Sequence, residues 1–269
     1  MFENQSSFTC ERGGLRIRGT AYIPELSGKM PALIYCHGLL DSQKGGPAPF
    51  VQTGVDAGYA VFTFDFCGGG VRGISDGKTT DMSVLTEIED LKAVIDYVKS
   101  LPYIDEARIN LMGQSQGGFV CAMTAAKRKD IESLILFYPA FCIPDYARKG
   151  TLMYAVYDPA DPPEVIPCGP MNLGRCYPMS VMEMDPCEVI RGYEGRILLL
   201  HGTADRLVDA EYARKASALY EEEKPGRISA VLLEGAGHGF KGEYADRAKA
   251  LMKAFLEGRS ISSSSVTSR

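Results

Sequence analysis

The chain has 269 residues, 45% of them apolar and 23% charged, with a formal net charge of -5. That length allows one large α/β domain or two small ones, and the apolar fraction allows a substantial core. The acidic balance argues against the basic face that neutralises phosphates, so nucleic acid is not an expected partner.

No apolar run approaches the length that spans a bilayer, and a membrane is not an expected partner either. Met1 to Ser7 lacks the basic start and apolar stretch of a secretory leader, so a cytoplasmic location is expected. The eight cysteines include no C-x-x-C pair and no Cys/His cluster with zinc spacing. Reduced structural thiols are therefore expected, with Cys168, Cys176 and Cys187 the one group in which a bridge is worth checking. No metal is implied, and the oligomeric state is left open, a homodimer included.

In chain order, Leu15 to Ile23 reads as an early antiparallel strand, and Ala32 to Cys36 as a buried strand ending in His37-Gly38. Ala60 to Asp65 is the next strand and runs into Gly68-Gly69-Gly70-Val71-Arg72-Gly73. That loop lacks the G-K-[ST] ending of a phosphate loop and reads as a flexible turn. Leu85, Ile88, Leu91, Ile95 and Val98 recur at helical spacing between Met82 and Leu101. Arg108 to Met112 is a strand, a helix follows Ser115 to about Arg128, and Ser133 to Phe137 is a further buried strand. After an interruption come a strand at Arg196 to Leu200, a helix at Ala210 to Glu222, a strand at Ile228 to Leu233 and a helix near Tyr244 to Leu256.

Short apolar strands alternating with helices predict a mostly parallel sheet flanked by helices. The interruption, rich in proline, methionine and tyrosine, predicts an ordered lid rather than a solvated linker. The predicted organisation is a core at 1–139, a lid insertion at 140–193, the second part of the core at 194–258 and a disordered serine-rich tail at 259–269.

Gly113-Gln114-Ser115-Gln116-Gly117 stands between a predicted strand and a predicted helix, the context of a nucleophile elbow. Serine needs a base, and of His37, His201 and His238 only His238 lies downstream of every plausible acid. Asp205, in the loop after the preceding strand, is the favoured acid. Asp209 competes, but more naturally caps the helix starting near Ala210. His37 and His201 read as loop-buttressing residues. Two backbone N–H groups aimed at one point would hold the oxyanion, and Leu39 and Gln116 are the candidates.

His37-Gly38, Gly113 to Gly118, His201-Gly202-Thr203-Ala204-Asp205 and Gly237-His238 occur in the order of the α/β-hydrolase superfamily. Within it the chain resembles the bacterial feruloyl (cinnamoyl) esterases, which carry a Ser-Gln-Gly-Gly elbow and a moderate lid. The resemblance implies an α/β-hydrolase fold, a Ser115–His238–Asp205 triad, Leu39 and Gln116 at the oxyanion, and no cofactor. It implies a small-molecule ester as substrate, plausibly a hydroxycinnamate, with lid contacts at Asp145, Tyr154 and Tyr157. Leu39 stands where such esterases often have Phe, and Gln114 where His is common. The same triad would serve a peptidase or a thioesterase, and a non-catalytic ligand-binding hydrolase fold is the remaining alternative.

Overall fold

The computed structural model describes residues 5–261. Residues 1–4, part of the stretch read for a leader, and residues 262–269, most of the serine-rich tail, lie outside them.

The chain opens with two strands, β1 (Gln5–Arg12) and β2 (Leu15–Tyr22). Strands and helices then alternate as β3 (Met30–Cys36), α1 (Ala48–Asp56), β4 (Ala60–Phe64), α2 (Val84–Lys99), β5 (Ile104–Gln114), α3 (Gln116–Lys127) and β6 (Ser133–Phe137). The chain next leaves the sheet for an insertion of small elements. These are α4 (Ile143–Arg148), the hairpin β7 (Thr151–Leu152) with β8 (Ala155–Val156), the hairpin β9 (Val165–Cys168) with β10 (Met171–Gly174), and α5 (Cys176–Met179). It returns with β11 (Arg196–Gly202), α6 (Ala210–Glu223), β12 (Ile228–Leu233) and α7 (Glu243–Leu256).

The main sheet has eight strands in the order β1-β2-β4-β3-β5-β6-β11-β12. Pairing is antiparallel from β1 through β2 to β4 and parallel from β4 onwards. The parallel strands read as continuous apolar runs because both of their faces are covered. Period-two alternation divides them between two cores. Leu33, Tyr35, Met112, Ile135 and Leu198 pack with Phe50 of α1 and Met252 of α7 on one face. Ile34, Leu111, Leu134 and Leu199 pack with Leu91 of α2 and Phe119 of α3 on the other. Each large apolar side chain so buried contributes roughly 1.5–3 kcal/mol relative to exposure. Ser83 sets the start of α2: its hydroxyl accepts from Thr86 N–H while its own N–H donates to Thr86 Oγ1.

Outside the insertion, β1 and α1 are additional to the strands and helices predicted. Only Phe8 of β1 is buried, so this edge strand carries no apolar pattern. Helix α1 is a short segment behind Gly45-Gly46-Pro47 that carries Gly54 within it. All eight cysteines are free, so the bridge considered among Cys168, Cys176 and Cys187 is not formed. Among the described residues, no helix is long and apolar enough to cross a membrane.

Candidate active site

Ser115 occupies the turn between β5 and α3 with φ 50° and ψ -120°. A non-glycine residue held there stores on the order of 1–3 kcal/mol, which the surroundings must sustain. They do so through β6 and the residues after it: Ser115 N–H donates to Phe137 O at 3.0 Å, and Ala140 N–H donates to Ser115 O at 2.9 Å. The flanking glycines are required by close approach. A Cβ on Gly113 would lie 2.3 Å from Gly117 O, and one on Gly117 would lie 2.4 Å from the carbonyl oxygens of Cys36 and His37. Among the described residues the Ser115 hydroxyl has no hydrogen-bond partner, and it faces a cavity of about 180 Å³.

His238, in the loop after β12, lines the same cavity. Its Nδ1–H donates to Asp205 Oδ2 at 2.8 Å, which leaves Nε2 as the basic nitrogen of the neutral ring. Tyr138 packs edge-on against the imidazole at 4.7 Å between centroids. Asp205 follows β11, and its side chain is fully shielded from solvent. Its other oxygen accepts from Leu207 N–H at 2.9 Å and Val208 N–H at 3.0 Å. Burial alone would raise the Asp205 pKa. The hydrogen bonds from His201, His238 and Val208 outweigh it and hold the carboxyl well below the usual carboxylate range. Asp209 instead caps α6, accepting from Glu211 N–H at 2.9 Å.

The two other histidines hold loops. His201 Nε2–H donates to Val208 O at 3.0 Å and lies 3.4 Å from Asp205 Oδ2, tying both ends of the acid loop together. Phe66 N–H donates to His37 Nε2 at 3.2 Å, while His37 Nδ1–H donates to Gly38 O at 2.8 Å. His37 thereby links the segments that follow β3 and β4.

Leu39 and Gln116 both line the cavity beside Ser115, and among the described residues neither backbone N–H has an acceptor within the protein. Gln116 opens α3, so the helix adds its positive end there. The Leu39 side is braced by the glycine-rich loop after β4, where Gly70 pairs with Leu40 in a parallel bridge. A Cβ on Gly70 would stand 1.9 Å from Asp41 O. The loop read as a flexible turn is thus a close-packed support. Gly70→Ala is expected to displace Leu39 and lower kcat by up to about 10²-fold, the cost of one oxyanion donor. Steady-state kinetics beside a melting curve separates this from simple loss of fold.

The insertion between β6 and β11 supplies eight of the fifteen residues lining the cavity, Ala140, Ile143, Tyr146, Leu152, Met153 and Tyr177 among them. Cys142 also lines it, but burial pushes its thiol up to about 12, so it offers no competing thiolate. Arg206, at the exposed rim, is the one Lys or Arg in the lining, and no carboxylate lines the cavity among the described residues.

None of the three expected insertion contacts is among the residues that line this cavity. Asp145 pairs with Arg148, accepts from Tyr212 O–H at 2.6 Å, and lines a second cavity between α4 and α6. Tyr154 is 65% exposed. Tyr157 turns back to donate to Ala147 O at 3.1 Å, closing the insertion on itself. Tyr146 and Tyr177 are the tyrosines that line the cavity.

The sheet order, the strained serine turn and the imidazole–carboxylate pair beyond successive strand ends define an α/β-hydrolase fold. Comparison with known proteins agrees. The family model described as serine aminopeptidase, S33, matches residues 29–158, a stretch that includes Ser115 and stops short of Asp205 and His238. The chain is similar to the solved structure of Est1E from Butyrivibrio proteoclasticus with bound ferulic acid. That match has a TM-score of 0.83 and 25% identity, covering 94% of this chain and 98% of that one. It shares its fold with an esterase of Pyrococcus furiosus, Pf2001, at TM-score 0.68 and 20% identity over 93% of this chain and 92% of that one. Among curated proteins it is 30% identical over 115 residues to the quorum-quenching protein AidA of Acinetobacter baumannii, covering 42% of this chain and 37% of that protein. An uncharacterized 31.7 kDa protein of Escherichia coli is 31% identical over 116 residues, with 43% and 40% covered. The chain therefore spans about two-fifths of the length of these curated relatives.

Proposed function

We propose that the protein is a serine carboxylesterase for esters with a compact, largely apolar acyl group, hydroxycinnamates among them. The observation that carries this reading is the 2.8 Å Nδ1–Oδ2 bond of His238 and Asp205, with His238 and the strained Ser115 on one cavity. A dry site that holds one benzene ring has a volume of roughly 150 Å³, so about 180 Å³ suits one ring with a short linker. The ferulic acid bound to Est1E, at matching fold and 25% identity, supports an aromatic acyl group. A lining without a carboxylate gives an α-ammonium no counter-charge, which weighs against an aminopeptidase despite the description of the matching family model. The insertion acts as the lid that covers the acyl group.

In this mechanism Ser115 Oγ forms a bond to the ester carbonyl carbon as His238 Nε2 takes its proton. The carbonyl oxygen becomes an oxyanion that accepts from Leu39 N–H and Gln116 N–H. Collapse breaks the bond to the alkoxy oxygen, which leaves with the proton from Nε2 as an alcohol. Water then adds to the acyl carbon, giving its proton to Nε2, and the second collapse releases the acid and returns the proton to Ser115. Asp205 stays ionised throughout and holds the imidazole with Nε2 toward the serine.

Hydrolysis of methyl ferulate beside 4-nitrophenyl acetate, 4-nitrophenyl butyrate and an aminoacyl anilide tests the reading. Turnover of ferulate and the nitrophenyl esters, with none of the anilide, is expected. Turnover of the nitrophenyl esters alone would remove the hydroxycinnamate, and anilide turnover alone would overturn the esterase assignment.

A further inference from the structure

We infer that Tyr177 of the insertion and Glu87 of α2 are positioning residues for the oxyanion hole, clamping the Gln116 side chain between them. The inference rests on the esterase reading above.

Gln116 sits at the first position of α3, directly after the nucleophile, and its side chain is buried. Here both ends of the amide are engaged by side chains from separate elements. Gln116 Nε2–H donates to Glu87 Oε2 at 2.7 Å, and Tyr177 O–H donates to Gln116 Oε1. The two bonds also set which end of the amide is the oxygen.

Both partners are more deeply buried than simple surface chemistry would allow. Glu87 is 1% exposed and Tyr177 is 0% exposed. Glu87 lies on the core face of α2, with Val84, Ile88 and Leu91 buried around it. Burial pushes the Glu87 carboxyl well above its usual range, and nearby Asp90 adds to this. Tyr177 has a double position, since its ring also lines the cavity. One wall of the cavity, formed by the insertion, is therefore bonded to the residue that would supply one oxyanion donor.

Buried polar groups also pair merely to satisfy one another, so the test must read the transition state rather than stability. The variants are Tyr177→Phe, Glu87→Leu and Glu87→Gln, assayed as full-length proteins on 4-nitrophenyl butyrate. Inhibition by an alkyl trifluoromethyl ketone is measured beside them, because its adduct with Ser115 carries an oxyanion. Tyr177→Phe and Glu87→Leu are expected to lower kcat roughly tenfold to a hundredfold with KM within about twofold, and to weaken the ketone by a similar factor. Glu87→Gln, which keeps an acceptor for Gln116 Nε2, is expected to restore most of what Glu87→Leu loses. Unchanged kcat and ketone affinity in Tyr177→Phe would overturn the inference, as would a loss confined to KM or to melting temperature. A wild-type protein that neither turns over the ester nor reacts at Ser115 with a fluorophosphonate would overturn the esterase reading itself. An active wild type with unaffected variants would overturn the clamp alone.

Discussion

On the proposed esterase mechanism, substituting Ser115 with alanine is expected to lower kcat for ester hydrolysis by about 10⁶-fold, with little change in melting temperature. The size follows from the role: without Oγ there is no acyl-enzyme, and only binding and the oxyanion donors continue to assist attack by water. The small structural effect follows from the geometry. The hydroxyl has no hydrogen-bond partner among the described residues, so its removal strands no buried group. The backbone bonds to Phe137 and Ala140 that sustain the φ of 50° are unaffected by the side chain. Mass spectrometry after fluorophosphonate treatment gives the matching check, with one adduct located at Ser115 and none in the variant. Retained turnover in the alanine variant would place the nucleophile elsewhere.

Asp205→Asn is expected to lower kcat by about 10⁴-fold while leaving the loop folded. An asparagine oxygen can still accept from the Leu207 and Val208 N–H groups, as Asp205 Oδ1 does. That orientation turns the amide N–H₂ toward His238 Nδ1, which must then accept, moving the ring proton to Nε2. The base nitrogen is thereby occupied. The same substitution makes a pH-dependent prediction for stability. The Asp205 carboxyl is held below its usual range by the His201, His238 and Val208 hydrogen bonds, against burial. A carboxyl with a depressed folded-state pKa stabilises the fold above its unfolded value of roughly 4, and that contribution is lost as pH falls toward the folded-state value. Wild type should therefore exceed Asp205→Asn in denaturant midpoint at neutral pH, and the gap should close below about pH 4. A gap independent of pH would mean that the charge on Asp205 is not what stabilises the loop.

Several features were legible in the linear chain, and each has a local cause. Runs such as Ala32 to Cys36 and Ser133 to Phe137 identify strands because both faces of a parallel sheet are buried, leaving no polar alternation to confuse them. The elbow is readable because its backbone geometry admits only small neighbours at Gly113 and Gly117. The shortage of histidines left His238 as the base by chain order. Edge strand β1 was illegible for the opposite reason, since one buried residue, Phe8, makes no pattern.

What the sequence by itself determined was the α/β-hydrolase order of strands, helices and punctuating glycines, and the short set of residues that could do the chemistry. Only the tertiary structure decided which insertion side chains meet the cavity. Tyr154, Tyr157 and Tyr177 are alike as letters. Whether each faces solvent, helix α4 or Gln116 depends on how the insertion folds over the strand ends. The same holds for Glu87. An acidic residue three positions after Val84 and four before Leu91 stands on the apolar face of α2, a signal available in the sequence. Its meaning required knowing that Gln116 and Tyr177, 29 and 61 positions apart from their partners along the chain, converge on one buried point. Local pattern reports which face of an element is covered, whereas long-range packing alone reports what covers it.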